Sequence, residues 1–147
     1  MRRASMLLLT VAVAALAGCG GGTDGLVPAT GTITVDNKPG AGAVVEFVPK
    51  PGTPGNGGTA FADDSGRYEI ATPQGKKGLA PGEYKVVVSY RRNADGSAPD
   101  PTVPPIESSA SEWLPKKYSD REATQLNATV TADAKPHDFA VQTGKKK

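Results

Sequence analysis

The sequence predicts an all-β fold, an antiparallel sandwich of about seven strands, and three observations carry that prediction. Apolar residues alternate at period two in short runs. Gly, Pro, Asn and Asp clusters separate those runs, with 18 Gly and 13 Pro among 147 residues. Beyond the apolar stretch that ends at Ala17, no segment sustains the 3.6-residue period of a helix. Gly and Pro supply turn geometries and interrupt ladders, so they belong in the connections of such a fold.

The first strand is expected over 31–35, with Ile33 and Val35 on one face, closed by the turn Asp36-Asn37-Lys38-Pro39-Gly40. The second, over 43–48, sets Val45 and Phe47 against Val44, Glu46 and Val48 on the opposite face. A Pro/Gly loop over 49–57 leads to a short strand near 59–62. In Asp63-Asp64-Ser65-Gly66 the acids offer side-chain acceptors and the glycine a positive φ, which makes a tight turn. The fourth strand, over 67–72, points Tyr68 and Ile70 inward. The fifth is the strongest: over 83–91, Tyr84, Val86, Val88 and Tyr90 share one face and Lys85, Val87 and Ser89 the other, a pattern suited to a central strand. From 93 to 105 the chain is Pro, Asp, Ser and Gly with little apolar content, a long loop. A short helical turn is expected within 107–118, limited by Pro115. Leu126, Ala128 and Val130 form the sixth strand, Phe139 and Val141 the seventh.

Three segments, taken together, resemble a known domain. They are Gly31-Thr32-Ile33-Thr34-Val35 with Lys38-Pro39-Gly40-Ala41, then Asp63-Asp64-Ser65-Gly66-Arg67-Tyr68, then Leu79-Ala80-Pro81-Gly82-Glu83-Tyr84-Lys85-Val86-Val87-Val88. In this order and spacing they resemble the carboxypeptidase regulatory-like domain. The resemblance implies a transthyretin-like (prealbumin-like) Greek-key sandwich over 27–142, strongest over 27–90 and weakest through the long loop around 92–112. These motif residues shape backbone and do no chemistry.

The N-terminus reads as a processing address. Arg2 and Arg3 precede an apolar run from about Met6 to Ala17, followed by small residues, which is the build of a helical signal segment. At roughly 12 residues the run is too short to span a bilayer core of about 30 Å. Leu16-Ala17-Gly18-Cys19 resembles the lipobox of bacterial lipoproteins. That resemblance implies removal of 1–18 and acylation of Cys19, the only cysteine. A flexible Gly-rich tether over 19–26 and a basic tail over 143–147 would then flank the sandwich. Gly20 is not the Asp that resembles an inner-membrane retention signal, which leaves the outer membrane open as the destination within the cell envelope.

The formal charge is +2, and the seventeen Lys and Arg less Arg2 and Arg3 equal the fifteen acids, so the processed chain is near neutral. With few aromatics and no basic run beside them, nucleic-acid binding has no footprint. His137 is the only histidine and is read as an exposed turn residue, without a partner set for a zinc site or a general base. A hydroxyisourate hydrolase, which shares the transthyretin-like fold, is excluded by this single histidine and by the ending Thr143-Gly144-Lys145-Lys146-Lys147. Asp63 and Asp64, with Asp36 or Asp95, are read as turn acids, since they lack the acid spacing of an EF-hand. Trp113 and Tyr118 are the aromatic pair outside the clear strands, offering either a cap on the core or a stacking surface.

The expectation is a membrane-anchored envelope module that binds or braces without catalysis and uses no cofactor or metal. Its partners are membrane lipid through Cys19 and an envelope protein or glycan. The alternatives are a carbohydrate or small-ligand module using Trp113, Tyr118 and the long loop, and, more remotely, an envelope enzyme revealed by two close carboxylates in a pocket.

Overall fold

The computed structural model of the protein describes residues 25–144. The expected signal segment, Cys19, the expected tether up to residue 24 and the lysines 145–147 lie outside the described residues. The described elements are β1 (Thr30–Val35), β2 (Lys38–Pro39), β3 (Val44–Pro49), β4 (Gly58–Phe61), β5 (Arg67–Glu69), β6 (Gly82–Ser89), β7 (Arg91–Arg92), β8 (Ser111–Glu112), α1 (Lys116–Ser119), β9 (Leu126–Val130) and β10 (Phe139–Val141). The seven runs read from the sequence correspond to β1, β3, β4, β5, β6, β9 and β10. The additions β2, β7 and β8 are two residues each, too short for alternation to register.

One sheet has the order β4-β3-β6-β9, antiparallel throughout, and β6 lies inside it as its alternation predicts. The other is organised on β1. The N–H of Ile33 donates to Gly66 and its carbonyl accepts from Gly40, so β5 and β2 divide one edge of β1 between them. Thr30, of opposite parity, accepts from His137 on the other edge, where β10 runs parallel to β1. That parallel pair departs from a wholly antiparallel sandwich. Its physical basis is distance along the chain: parallel neighbours need a long crossover, and almost the whole domain separates β1 from β10. A small ribbon of β7 and β8 stands apart.

Local chemistry sets the turns. Between β1 and β2 only Asp36 and Asn37 intervene, both at positive φ (50° and 63°), the geometry of a primed two-residue hairpin whose twist matches its strands. After β4, Asp63 Oδ1 accepts from the Ser65 and Arg67 N–H groups while Gly66 takes φ 78°. α1 begins immediately after Pro115 rather than being cut short by it; proline lacks only an N–H that a helix start leaves unpaired.

The two sheets close on a single core. Ile33 and Val35 of β1, Tyr68 of β5 and Val141 of β10 meet Val45, Phe47, Tyr84, Val86, Val88 and Val130 of the opposite sheet. Phe47 is central, its ring 6.4 Å from Tyr68, 5.8 Å from Tyr84 and 6.4 Å from Phe139. Val87 faces outward by parity yet is buried, because α1 packs on β6 and the Thr124 hydroxyl donates to the Val86 carbonyl. Among the described residues, every buried member of this cluster lies between Ala29 and Val141.

Candidate functional site

Two of the clefts formed by the described residues bear on function. The first, about 870 Å³, is wide and lies beside β1 and β5, with Thr32, Phe61, Asp63, Arg67, Glu69 and Asp138 on its walls. Three carboxylates thus border one cleft, the arrangement that the remote enzyme reading asks about. Each is committed to structure. Asp63 Oδ1 caps its own turn, with the Ser65 hydroxyl at 2.6 Å, and this holds its carboxyl below the ordinary value. Asp138 Oδ1 accepts the backbone N–H and hydroxyl of Thr32 at 2.8 and 2.7 Å, fastening the approach to β10 onto β1. Glu69 pairs with Lys77 at 2.6 Å. Among the described residues, no group of three or more His, Cys, Asp or Glu is placed to hold a metal ion. The other acids weighed as calcium ligands also serve locally, Asp36 bonding Thr143 and Asp95 bonding Ser97.

His137 corrects an expectation. It is partly buried rather than exposed, its ring edge-on to Phe47 at 5.7 Å, because the approach to β10 folds over the open end of the core. Its carbonyl accepts the Tyr68 hydroxyl, and the buried phenol is held well above its ordinary pKa by desolvation. Desolvation likewise lowers the His137 pKa from 6.5, against the opposing pull of the Asp138 carboxylate. The unfolded chain therefore binds a proton at higher pH than the native one. Stability from this residue is full above about pH 6.5 and falls as pH drops through that value. Urea midpoints at pH 7.5 and 5.5 are expected to differ more for the natural protein than for His137→Gln; equal differences would refute the assignment.

Trp113 and Tyr118 are both partly buried. Trp113 lies where the loop returns to the sandwich: its N–H donates to Tyr90, its carbonyl accepts from Gly144, and its ring reaches Gly96. Tyr118 is on α1, packed against the core, with the Lys117 ammonium 4.8 Å from its ring centre. One aromatic thus supports the long loop and the other supports the sheet.

The second cleft, about 520 Å³, lies between that loop and the outward face of the four-stranded sheet. Phe61, Val44 and Ser89 form a cross-strand row on β4, β3 and β6, and all three line the cleft. Pro99, Pro101, Val103 and Pro105 wall the opposite side, while Arg91 and Arg92 close one end. The loop is held there by Arg91, whose Nη2 donates to the Ala110 carbonyl at 2.6 Å and whose Nη1 reaches Pro105 at 3.4 Å. Sequence reading passed over Phe61, Arg91 and Arg92. A usable signal existed for the last: Arg92 has the same parity as Tyr84, Val86, Val88 and Tyr90, the inward face of the strongest strand.

No family model matches this chain, and no curated protein matches it. Among solved structures, a 9R-lipoxygenase from Cyanothece PCC8801 aligns at 19% identity and a TM-score of 0.37, over 95% of this chain and 18% of that one. The chain therefore spans under a fifth of the length of the protein it aligns with.

Proposed function

We propose that this chain is a lipid-tethered module of the cell envelope that binds or braces other molecules without transforming them, on a transthyretin-like Greek-key sandwich. The observation that carries the binding role is exposed apolar surface: Phe61 is 76% exposed, Ile106 94% and Val103 37%. Phe61 and Val103 share one cleft, and a folded domain keeps large apolar side chains together at its surface chiefly where something covers them. Topology supports the Greek-key reading, since the chain leaves β4 for the opposite sheet at β5 and returns at β6 beside β3. The tether rests on Leu16-Ala17-Gly18-Cys19. No helix among the described residues is long and apolar enough to cross a membrane.

Fractionation of cells tests the anchor. The natural chain is expected almost wholly with membranes, because two or more acyl chains dissociate far more slowly than one. Cys19→Ser is expected to move it out of the processed, lipid-modified form. A Cys19 peptide with an unmodified mass would overturn the tether. The small-ligand alternative is favoured by the second cleft, which the long loop roofs with prolines and a valine rather than leaving the sheet open.

A further inference from the structure

We propose that the cleft beneath the long loop takes a small amphipathic carboxylate, its anionic head at the Arg91–Arg92 end and its apolar body against Val44, Phe61 and Val103. The proposal rests on the small-ligand reading and names the ligand class of that site. Charge is the core of the argument. Arg92 is only 6% exposed, and its guanidinium carbon lies 3.9 Å from the centre of the Tyr90 ring. Its acceptors among the described residues are carbonyl oxygens, that of Arg91 at 3.2 Å from Nη1 and that of Ala41 at Nη2. Among the described residues no carboxylate lies within ion-pair distance of it. Buried arginines ordinarily come with an anion, because carbonyl dipoles do not neutralise a net charge.

The rest of the cleft does not supply that anion. Arg91 spends its own Nη atoms on the carbonyls of Ala110 and Pro105. Asp100, the one acid on the walls, has Oδ1 taken by the Thr102 N–H and hydroxyl at 2.8 and 2.7 Å. On the walls two guanidinium groups face one carboxylate, while the neighbouring Glu112 carboxylate is taken up by the Ser89 hydroxyl and the Tyr90 and Leu114 N–H groups.

Gly42 keeps the charge reachable. It lines the cleft, and a Cβ built there would stand 3.6 Å from Arg92 Nη1, so glycine puts no side chain between the cleft and that nitrogen. A planar carboxylate matches a guanidinium edge. The rest of the lining is mostly valine, phenylalanine, alanine and proline, with Ser89, Asp100 and Ser108 as its polar members, and suits an alkyl or aryl body better than the hydroxyls of a sugar. A volume of about 520 Å³ fits a compact ligand of this kind.

The test uses the chain from Gly20 onward, which holds every buried residue of the described core, titrated with octanoate, octanol and octylammonium while the methyl signals of Val44 and Val103 and the ring signals of Phe61 are followed by NMR. Octanoate is expected to shift all three residues and to bind most tightly. Arg92→Met, which keeps a long side chain over Tyr90, is expected to weaken octanoate about tenfold and leave octanol unchanged. Equal binding of the three probes, or preference for octylammonium, overturns the carboxylate assignment while the small-ligand reading stands. Absence of shifts with every probe overturns both. Should Arg92→Met fail to fold, the ranking of the three head groups on the natural chain decides alone.

Discussion

Phe47→Ala is expected to destabilise the domain by about 3–5 kcal/mol, enough to leave a protein at the low end of ordinary stability partly unfolded at 25 °C. The expectation follows from where the ring sits. β3 lies between β4 and β6, and its inward residue Phe47, 1% exposed, reaches across to Tyr68 of the opposite sheet and to Phe139 beside it. It also supports the His137 ring at the open end of the core. Truncation removes transfer energy and leaves a cavity bounded by four rings, none of which can move in without pulling its strand, or the lead-in to β10, out of place. Tilted and edge-on ring pairs add about 0.5–1.5 kcal/mol each where they are well formed. Urea denaturation reads the loss directly, as a lower midpoint at unchanged slope. Phe47→Leu, which refills part of the volume, is expected to lose less than half as much. A cost below about 1.5 kcal/mol for the alanine variant would mean that the two sheets are held together elsewhere.

The parts of this fold legible from sequence are those where side chains alternate between water and core for at least three residues. Ile33 with Val35, Val45 with Phe47, and Tyr84 with Val86 and Val88 announced their strands and their inward faces, and all are buried. The turn at Asp63 to Gly66 was legible for a different reason, since its side chains make the bend themselves. What escaped was set by distant partners. β2, β7 and β8 exist because other strands offer hydrogen bonds, and two residues carry no period. The parallel placement of β10 depends on an Asp138 carboxylate more than 100 residues from the Thr32 it fastens. His137 looked like a turn residue because its local neighbours are Pro136 and Asp138; its real neighbour is Phe47.

The candidate site was less legible than the fold, and the reason is again range. The long loop read as connection because its composition is that of a connection, yet Arg91 and the ribbon of β7 and β8 pin it over Val44 and Phe61. Phe61 in isolation is one exposed aromatic at the end of a short strand. Only the cross-strand row with Val44 and Ser89 turns it into a wall. Trp113 and Tyr118 drew attention by size, whereas the loop and sheet use them as supports and place the open apolar surface at Phe61, Val103 and Ile106.

Gly31→Ala is expected to be nearly as damaging as loss of Phe47, although it adds one methyl group and removes nothing. Gly31 is the buried residue of β1 at which β5 and the lead-in to β10 converge, paired with Tyr68 on one side and close to His137 on the other. A Cβ there would stand 1.9 Å from the His137 carbonyl oxygen, 2.6 Å from its carbon and 2.8 Å from the Tyr68 hydroxyl. Two of those three atoms are backbone, so no rotamer change relieves the clash. The lead-in must leave β1, and as it goes the Tyr68 hydroxyl loses its acceptor and the His137 ring its place against Phe47. Overpacking costs about 1–3 kcal/mol where neighbours yield, and a buried polar group left without its partner adds about 1–3 kcal/mol, so a total near 3–4 kcal/mol is expected. Tyr68→Phe separates the contributions: it removes the hydroxyl, spares the backbone, and is expected to cost only about 1 kcal/mol. Hydrogen exchange makes the prediction local. In Gly31→Ala the His137 amide, which donates to Thr30, is expected to lose protection before the amides of β3 and β6. Unchanged protection at His137 together with unchanged stability would show that β10 is not seated against β1 by this close approach.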